Sequence, residues 1–161
     1  SFFASTALLA VGAGFGLLTA ADTIIRAFEE SFVHLEIDRA AFYVKTAMLM
    51  GLYAYAFFKF GWAYRLFNYS AVMLAATPEA GEPGAEEAAS AVAEMNIAAA
   101  GQFTHGLRAF FLAIAVLAWF ITWWAFAAAT VVIVFALANR QLNSKARFVA
   151  QGALARLQGK P

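Results

Sequence analysis

Three cations, Lys59, Arg65 and Arg108, are the side chains best suited to grip a ligand in this 161-residue sequence. Each lies near the edge of an apolar run, and Asn68, Tyr69, Asn96 and His105 are expected at the same membrane face. Arginine holds phosphate through paired donors, and lysine does so as a compact charge. The chemistry on offer is an anion or lipid-headgroup pocket built from Lys59, Arg65, Asn68, Tyr69 and Arg108. Two plainer readings compete. Topology alone gathers cations on the cytoplasmic side, and long cationic side chains reach back to water from just inside lipid. A salt bridge between subunits would use the same residues.

Other chemistries find little to work with. His34 and His105 are expected at opposite membrane faces, so they do not pair axially on a haem, and no His-x-x-x-His spacing offers a metal site. Neither a cofactor nor a metal is expected. With no cysteine, a thiolate nucleophile, a thiolate-held cluster and a disulfide are excluded. Ser5-Thr6 and Ser70 have no nearby histidine backed by an acid. Glu29-Glu30 and Glu86-Glu87 are adjacent pairs whose side chains diverge on a helix. Gly12-Ala13-Gly14-Phe15-Gly16 follows no strand, so it is no phosphate cradle. No catalytic residue is expected, and the chain is not read as an enzyme.

The elements that position these residues follow from composition. Hydrophobic residues make up 63% of the chain and charged residues 13%. Soluble domains average about 45–50% and about 25%, so lipid is the natural solvent for the surplus. Net charge is +1, which gives no nucleic-acid footprint. The fold expected is an all-α membrane bundle of four spans, near residues 2–21, 40–60, 103–121 and 124–142.

Residues 2–21 are uncharged and about 30 Å long as a helix, enough to cross the hydrocarbon. Gly12 and Gly16 share a face there, the spacing that admits a neighbouring helix closely. Ile24, Ile25, Phe28, Phe32 and Leu35 oppose Arg26, Glu29, Glu30 and His34, which predicts an interfacial amphipathic helix over 23–36. Lys45 and Lys59 flank the core of the second span and are expected to reach opposite headgroup layers. The helical pattern continues past Trp62 to Ala76 as an extension along the surface. Pro78, Gly81, Pro83 and Gly84 then mark a loop, and Glu86-Glu87 open a helix; loop and helix together are a cytoplasmic segment over 77–102. No charge interrupts 109–138, and a single helix of that length would measure about 45 Å, half as long again as the hydrocarbon. A hairpin is expected instead, with Trp119, Trp123 and Trp124 at its turn.

Orientation follows from charge. Lys59, Arg65, Arg108, Arg140, Lys145, Arg147, Arg156 and Lys160 share one side, against Arg26, Arg39 and Lys45 on the other. The richer side is expected in the cytoplasm, with the basic tail 143–161. The opening Ser1-Phe2-Phe3 has neither a methionine nor a basic leader, which predicts a natural start further upstream.

Four ordered blocks carry a resemblance: Phe2-Phe3-Ala4-Ser5-Thr6; Phe57-Phe58-Lys59-Phe60-x-Trp62-x-x-Arg65-x-x-Asn68-Tyr69; Gly106-Leu107-Arg108-Ala109-Phe110-Phe111; and the basic Asn139-Arg140-Gln141-Leu142-x-Ser144-Lys145-Ala146. Over nearly its whole length the chain resembles a family of small multi-span proteobacterial membrane proteins of unknown function. The family pattern favours tyrosines where Phe110 and Phe111 stand, and a proline near Trp123. The resemblance implies an upstream membrane segment and brings no established activity.

The function expected is that of a non-enzymatic accessory or scaffold subunit of the bacterial inner membrane. Its partners would be lipid and other integral membrane subunits, with a respiratory or photosynthetic complex as host. The alternative is a small homo-oligomeric transporter or channel for an anion. The ionisable groups sit at span ends and no internal repeat is visible, which favours the first.

Overall fold

The computed structural model describes residues 2–30 and 38–142, all of whose regular elements are helices. In chain order these are α1 (Phe2–Thr19), α2 (Ala21–Glu29), α3 (Arg39–Ala75), α4 (Ala85–Ala118) and α5 (Trp123–Leu142). Helices α1, α3 and α4 are long and apolar enough to cross a membrane, and α5 carries a shorter apolar stretch, Trp123–Asn139. His34, the 31–36 part of the expected interfacial helix and the basic tail 143–161 lie outside the described residues, as does the side chain of Arg140.

Local chemistry sets the helix ends. The Asp38 carboxylate accepts from the Ala40 and Ala41 N–H groups, at 3.4 and 3.1 Å, and starts α3. Between α3 and α4 the chain reverses through Gly81 and Gly84, whose φ angles of 98° and 84° suit a residue without a Cβ. The apolar run 109–138 breaks at 119–122, where the Thr122 hydroxyl accepts from the Ala125 N–H at 3.1 Å and caps α5. Helices α4 and α5 therefore form a hairpin, pinned by Trp119 stacked on Phe126 at 5.3 Å.

Helices α3 and α4 form the axis of the bundle, antiparallel to each other. Phe42 meets Phe120 at one end of the pair, Tyr53 meets Phe110 in the middle, and Ser70 meets Asn96 towards the other. Helix α1 packs along α3, with Phe3 beside Phe60 and Gly14 against Met50, and reaches α4 through the Phe3 ring, which meets Phe103 and Phe110. The core where α1, α3 and α4 meet is built on Ala7, Ala56 and Ala113, each 0% exposed, which let the backbones approach closely. A second, smaller core joins Ala21 and Ile25 of α2 to Phe42, with Ile24 and Phe120 packed against it. The apolar face of α2 is thus spent on α3 and the hairpin turn.

The expectation that Lys45 simply snorkels misses its partner. Its ammonium donates to the Trp119 carbonyl at 3.0 Å and lies 5.2 Å from the centroid of the Trp119 ring. That carbonyl belongs to the C-terminal end of α4, where unpaired oxygens and the negative pole of the helix collect. Lys45→Met is expected to lower stability by roughly 1–3 kcal/mol through loss of this charge-assisted bond. The midpoint of unfolding in mixed micelles reads it, and an unmoved midpoint removes Lys45 from the account of the turn.

Candidate functional site

Of the three cations, only Lys59 sits in a built environment. Its ammonium donates to Gln102 Oε1 at 2.8 Å and lies 5.4 Å from the centre of the Tyr55 ring. Tyr55, Phe58, Trp62 and Gln102 join it around a shallow groove of about 370 Å³ on the outer side of the α3–α4 pair. The spacing explains the grouping. Positions 55, 58, 59 and 62 fall on one stripe of α3, and antiparallel pairing brings Gln102 alongside.

The expected five-residue pocket does not assemble in one place. Arg65 lies six residues beyond Lys59 on α3, while Arg108 lies six residues beyond Gln102 on α4, in the opposite direction. Each step is about 9 Å of helix rise, so Arg65 and Arg108 stand roughly 18 Å apart along the bundle. Arg65 donates to the Tyr69 hydroxyl at 2.9 Å and lies over the Trp62 and Tyr69 rings, fully at the surface. Asn68 is exposed beside it. Arg108 and His105 are also exposed. Arg108 shares the α4 stripe of Phe111, Ala115 and Trp119, which faces α5. Sequence spacing along two antiparallel helices fixes the end of the bundle each cation nears, but not the face it takes.

Asn96 also leaves the expected cluster. It donates to Ser70 Oγ, and Ser70 donates in turn to the Val92 carbonyl at 3.4 Å. This polar contact, centred on the buried Ser70, joins α3 to α4 far from Lys59, and sequence spacing did not mark Ser70 as its centre. The only available signal was a small hydroxyl on the seam stripe of α3, seven residues after Ala63.

The glycines are redistributed too. Gly12 and Gly16 are exposed, and nothing lies within 4 Å of where a Cβ would stand on either. The close approaches within the chain occur at Gly14, against Met50, and at Gly106, where a Cβ would lie 2.8 Å from Phe60 Cε1. Helix α1 presents Gly14 to α3, so the Gly12/Gly16 face points outwards.

Beside Lys59, the Phe60 ring closes an aromatic junction. It stacks on Phe3 at 5.6 Å, meets Phe103 at 5.4 Å and lies over Gly106. Phe110 joins Phe3 at 5.8 Å and Tyr53 at 5.4 Å. Three of the four blocks that carry the family resemblance, those containing Phe3, Phe60 and Gly106, thus converge on one point of the bundle. Among the described residues no three His, Cys, Asp or Glu side chains gather as a metal site would need.

No curated protein matches the chain, and no solved structure does so. A family model does match, over residues 1–146, a span that includes all five helices and the aromatic junction. The chain belongs to the family described as "Protein of unknown function, DUF599".

Proposed function

We propose that this protein is a non-enzymatic accessory or scaffold subunit of the bacterial inner membrane, which crosses it four times and binds other membrane proteins and lipid. The C-terminus lies in the cytoplasm, as the distribution of basic residues favours. A respiratory or photosynthetic complex is a fitting host. The observation that carries this reading is the length and surface of the α3–α4 pair. At 37 and 34 residues these helices measure roughly 55 and 51 Å, against a hydrocarbon core of about 30 Å. The uncharged core of α3 ends at Lys59, and residues 61–75 and 85–102 run on past it as a paired two-helix arm.

That arm is apolar on its outside. Tyr64, Phe67 and Leu74 form one exposed stripe, with Val72 and Ile97 exposed nearby. Such side chains beyond the hydrocarbon are stabilised when a partner covers them. The acids Glu79, Glu82, Glu86, Glu87 and Glu94 outnumber Arg65 on the arm and in its loop. A protein with an apolar, basic face fits this surface better than an anionic bilayer does.

Native mass spectrometry of the chain, gently extracted from its own membranes, tests the proposal. Heavier subunits are expected in fixed ratio, and the double variant Phe67→Ser with Leu74→Ser is expected to lose them while keeping its helix content. Recovery of the same subunits by both proteins would free the arm of this role. A clean homo-oligomer would favour the small anion transporter or channel instead.

A further inference from the structure

We infer that the Lys59 groove is a binding site for one anionic phospholipid, its phosphodiester held by Lys59 and Gln102 and its acyl chain laid against Phe58 and Tyr55. The inference rests on the membrane placement proposed above and is independent of any protein partner.

The donors come first. Lys59 carries three N–H groups and spends one on Gln102 Oε1 at 2.8 Å. Accepting that bond turns the Gln102 amide so that its NH₂ is a donor, and the Trp62 indole N–H can only donate. The polar rim is therefore rich in donors. No acidic residue lines the groove, and among the described residues the Lys59 ammonium pairs with no carboxylate. A half-buried cation near lipid is costly without a counter-ion, so the groove lacks an anion with several acceptor oxygens. A phosphodiester is that group.

Depth along the bundle decides the source of the phosphate. Lys59 is next to Phe60, which stacks on Phe3 at the first turn of α1. The groove lies at one end of the uncharged stretch 46–58 of α3, whose other end is Lys45. Tyr55 stands one turn towards the interior of the bundle and Trp62 one turn towards the arm. Tyrosine and tryptophan flanking a lysine suit the headgroup layer, where rings touch acyl chains and polar tips reach water. The exposures of Tyr55, Phe58 and Trp62, 47%, 72% and 53%, leave their faces free for a chain. A soluble anion would use the ammonium and leave that wall bare.

The absence of acids also selects among lipids. Phosphatidylethanolamine brings a cation that finds no carboxylate in the groove, whereas phosphatidylglycerol brings hydroxyls that Gln102 and Tyr55 can meet.

The test is lipid retention in native mass spectrometry of the purified chain, released from nanodiscs of equal parts phosphatidylglycerol and phosphatidylethanolamine. One phosphatidylglycerol per chain is expected. Lys59→Met is expected to weaken retention by about five- to tenfold, the effect of one interfacial lysine. Gln102→Leu should weaken it less, and Lys59→Arg should restore most of it. Arg26→Met, which removes a cation on α2 near the other end of the bundle, should change nothing. Equal retention of both lipids, or an unchanged adduct in both Lys59→Met and Gln102→Leu, overturns the inference. Displacement of the lipid by millimolar inorganic phosphate overturns the lipid as source and makes the groove a soluble-anion site. Should Lys59→Met fail to fold, Gln102→Leu and Lys59→Arg decide the matter. Loss of a protein partner in the arm variants leaves every one of these readings intact.

Discussion

Replacing Phe60 by Ala is expected to lower the stability of the bundle by about 3–5 kcal/mol, the range for truncating a fully packed aromatic ring. Phe60 is 1% exposed, and its ring lies between 5.4 and 6.5 Å from those of Phe3, Phe103 and Phe110. In lipid, apolar surface alone does not drive helices together, so interlocking contacts of this kind carry the association. Truncation empties a space where α1, α3 and α4 meet, and none of the three can close it without giving up its other contacts. Reversible unfolding in mixed micelles, followed by near-ultraviolet dichroism, measures the loss. Phe60→Leu keeps part of the volume and should cost clearly less. A cost under about 1 kcal/mol for Phe60→Ala would show that the ring is not packed as described.

Gly106→Val is expected to be nearly as damaging, at about 1–3 kcal/mol or more, because it overpacks the same junction from the other side. Even a single Cβ would lie 2.8 and 2.9 Å from Phe60 Cε1 and Cδ1. The ring cannot retreat, since Phe3 and Phe103 stand against it. Gly14 offers the control. A Cβ there would meet Met50 Cγ and Sδ, but Met50 is half-buried and unbranched, so a change of rotamer can carry the thioether aside and Gly14→Ala should cost less than Gly106→Ala. The size of the space is tight at both positions, and the freedom of the neighbour decides the cost. Gly106→Ala combined with Phe60→Leu should recover part of the loss of Gly106→Ala alone, the coupling expected of side chains in contact. Strict additivity of the two would separate Gly106 from Phe60.

Much of the helical layout was legible because local chemistry writes it. The two prolines and two glycines of 77–84 end one long helix and Gly84 precedes the next, whatever surrounds them. The tryptophan cluster at 119–124 marked a turn within an apolar run that periodicity could not divide. The Thr122 cap that makes the turn was there to be read, three residues before the Ala125 N–H it accepts. Residues 61–75 carry enough polar groups to suggest a helix resting along a surface, yet they continue α3 without a break. The seam at Ala63, Ser70, Val92 and Ala99 holds them against α4, and a contact across more than twenty residues of sequence leaves no local trace.

The site was less legible, for a geometric reason. Counting charges along the spans groups Lys59, Arg65 and Arg108 on one side, but the antiparallel pairing leaves Arg65 and Arg108 roughly 18 Å apart along the bundle. Facing directions around two antiparallel helices then separate them, and only Lys59 finds Gln102. The same reason governs the glycines: Gly12 and Gly16 have the spacing of a contact face, but α1 turns Gly14 to α3.

Composition and periodicity by themselves determined that the regular elements of the described residues are helices and that the long ones are apolar enough for a membrane, while four ordered motifs carried the resemblance to a family. These properties are sums over many residues, so no single neighbour can overturn them. Only the tertiary structure decided that Phe3, Phe60, Gly106 and Phe110 meet, that Lys45 closes the end of α4, and that Lys59 joins Gln102 at a groove. Each depends on the rotation of one helix against another, and that angle is set by packing between side chains far apart in sequence.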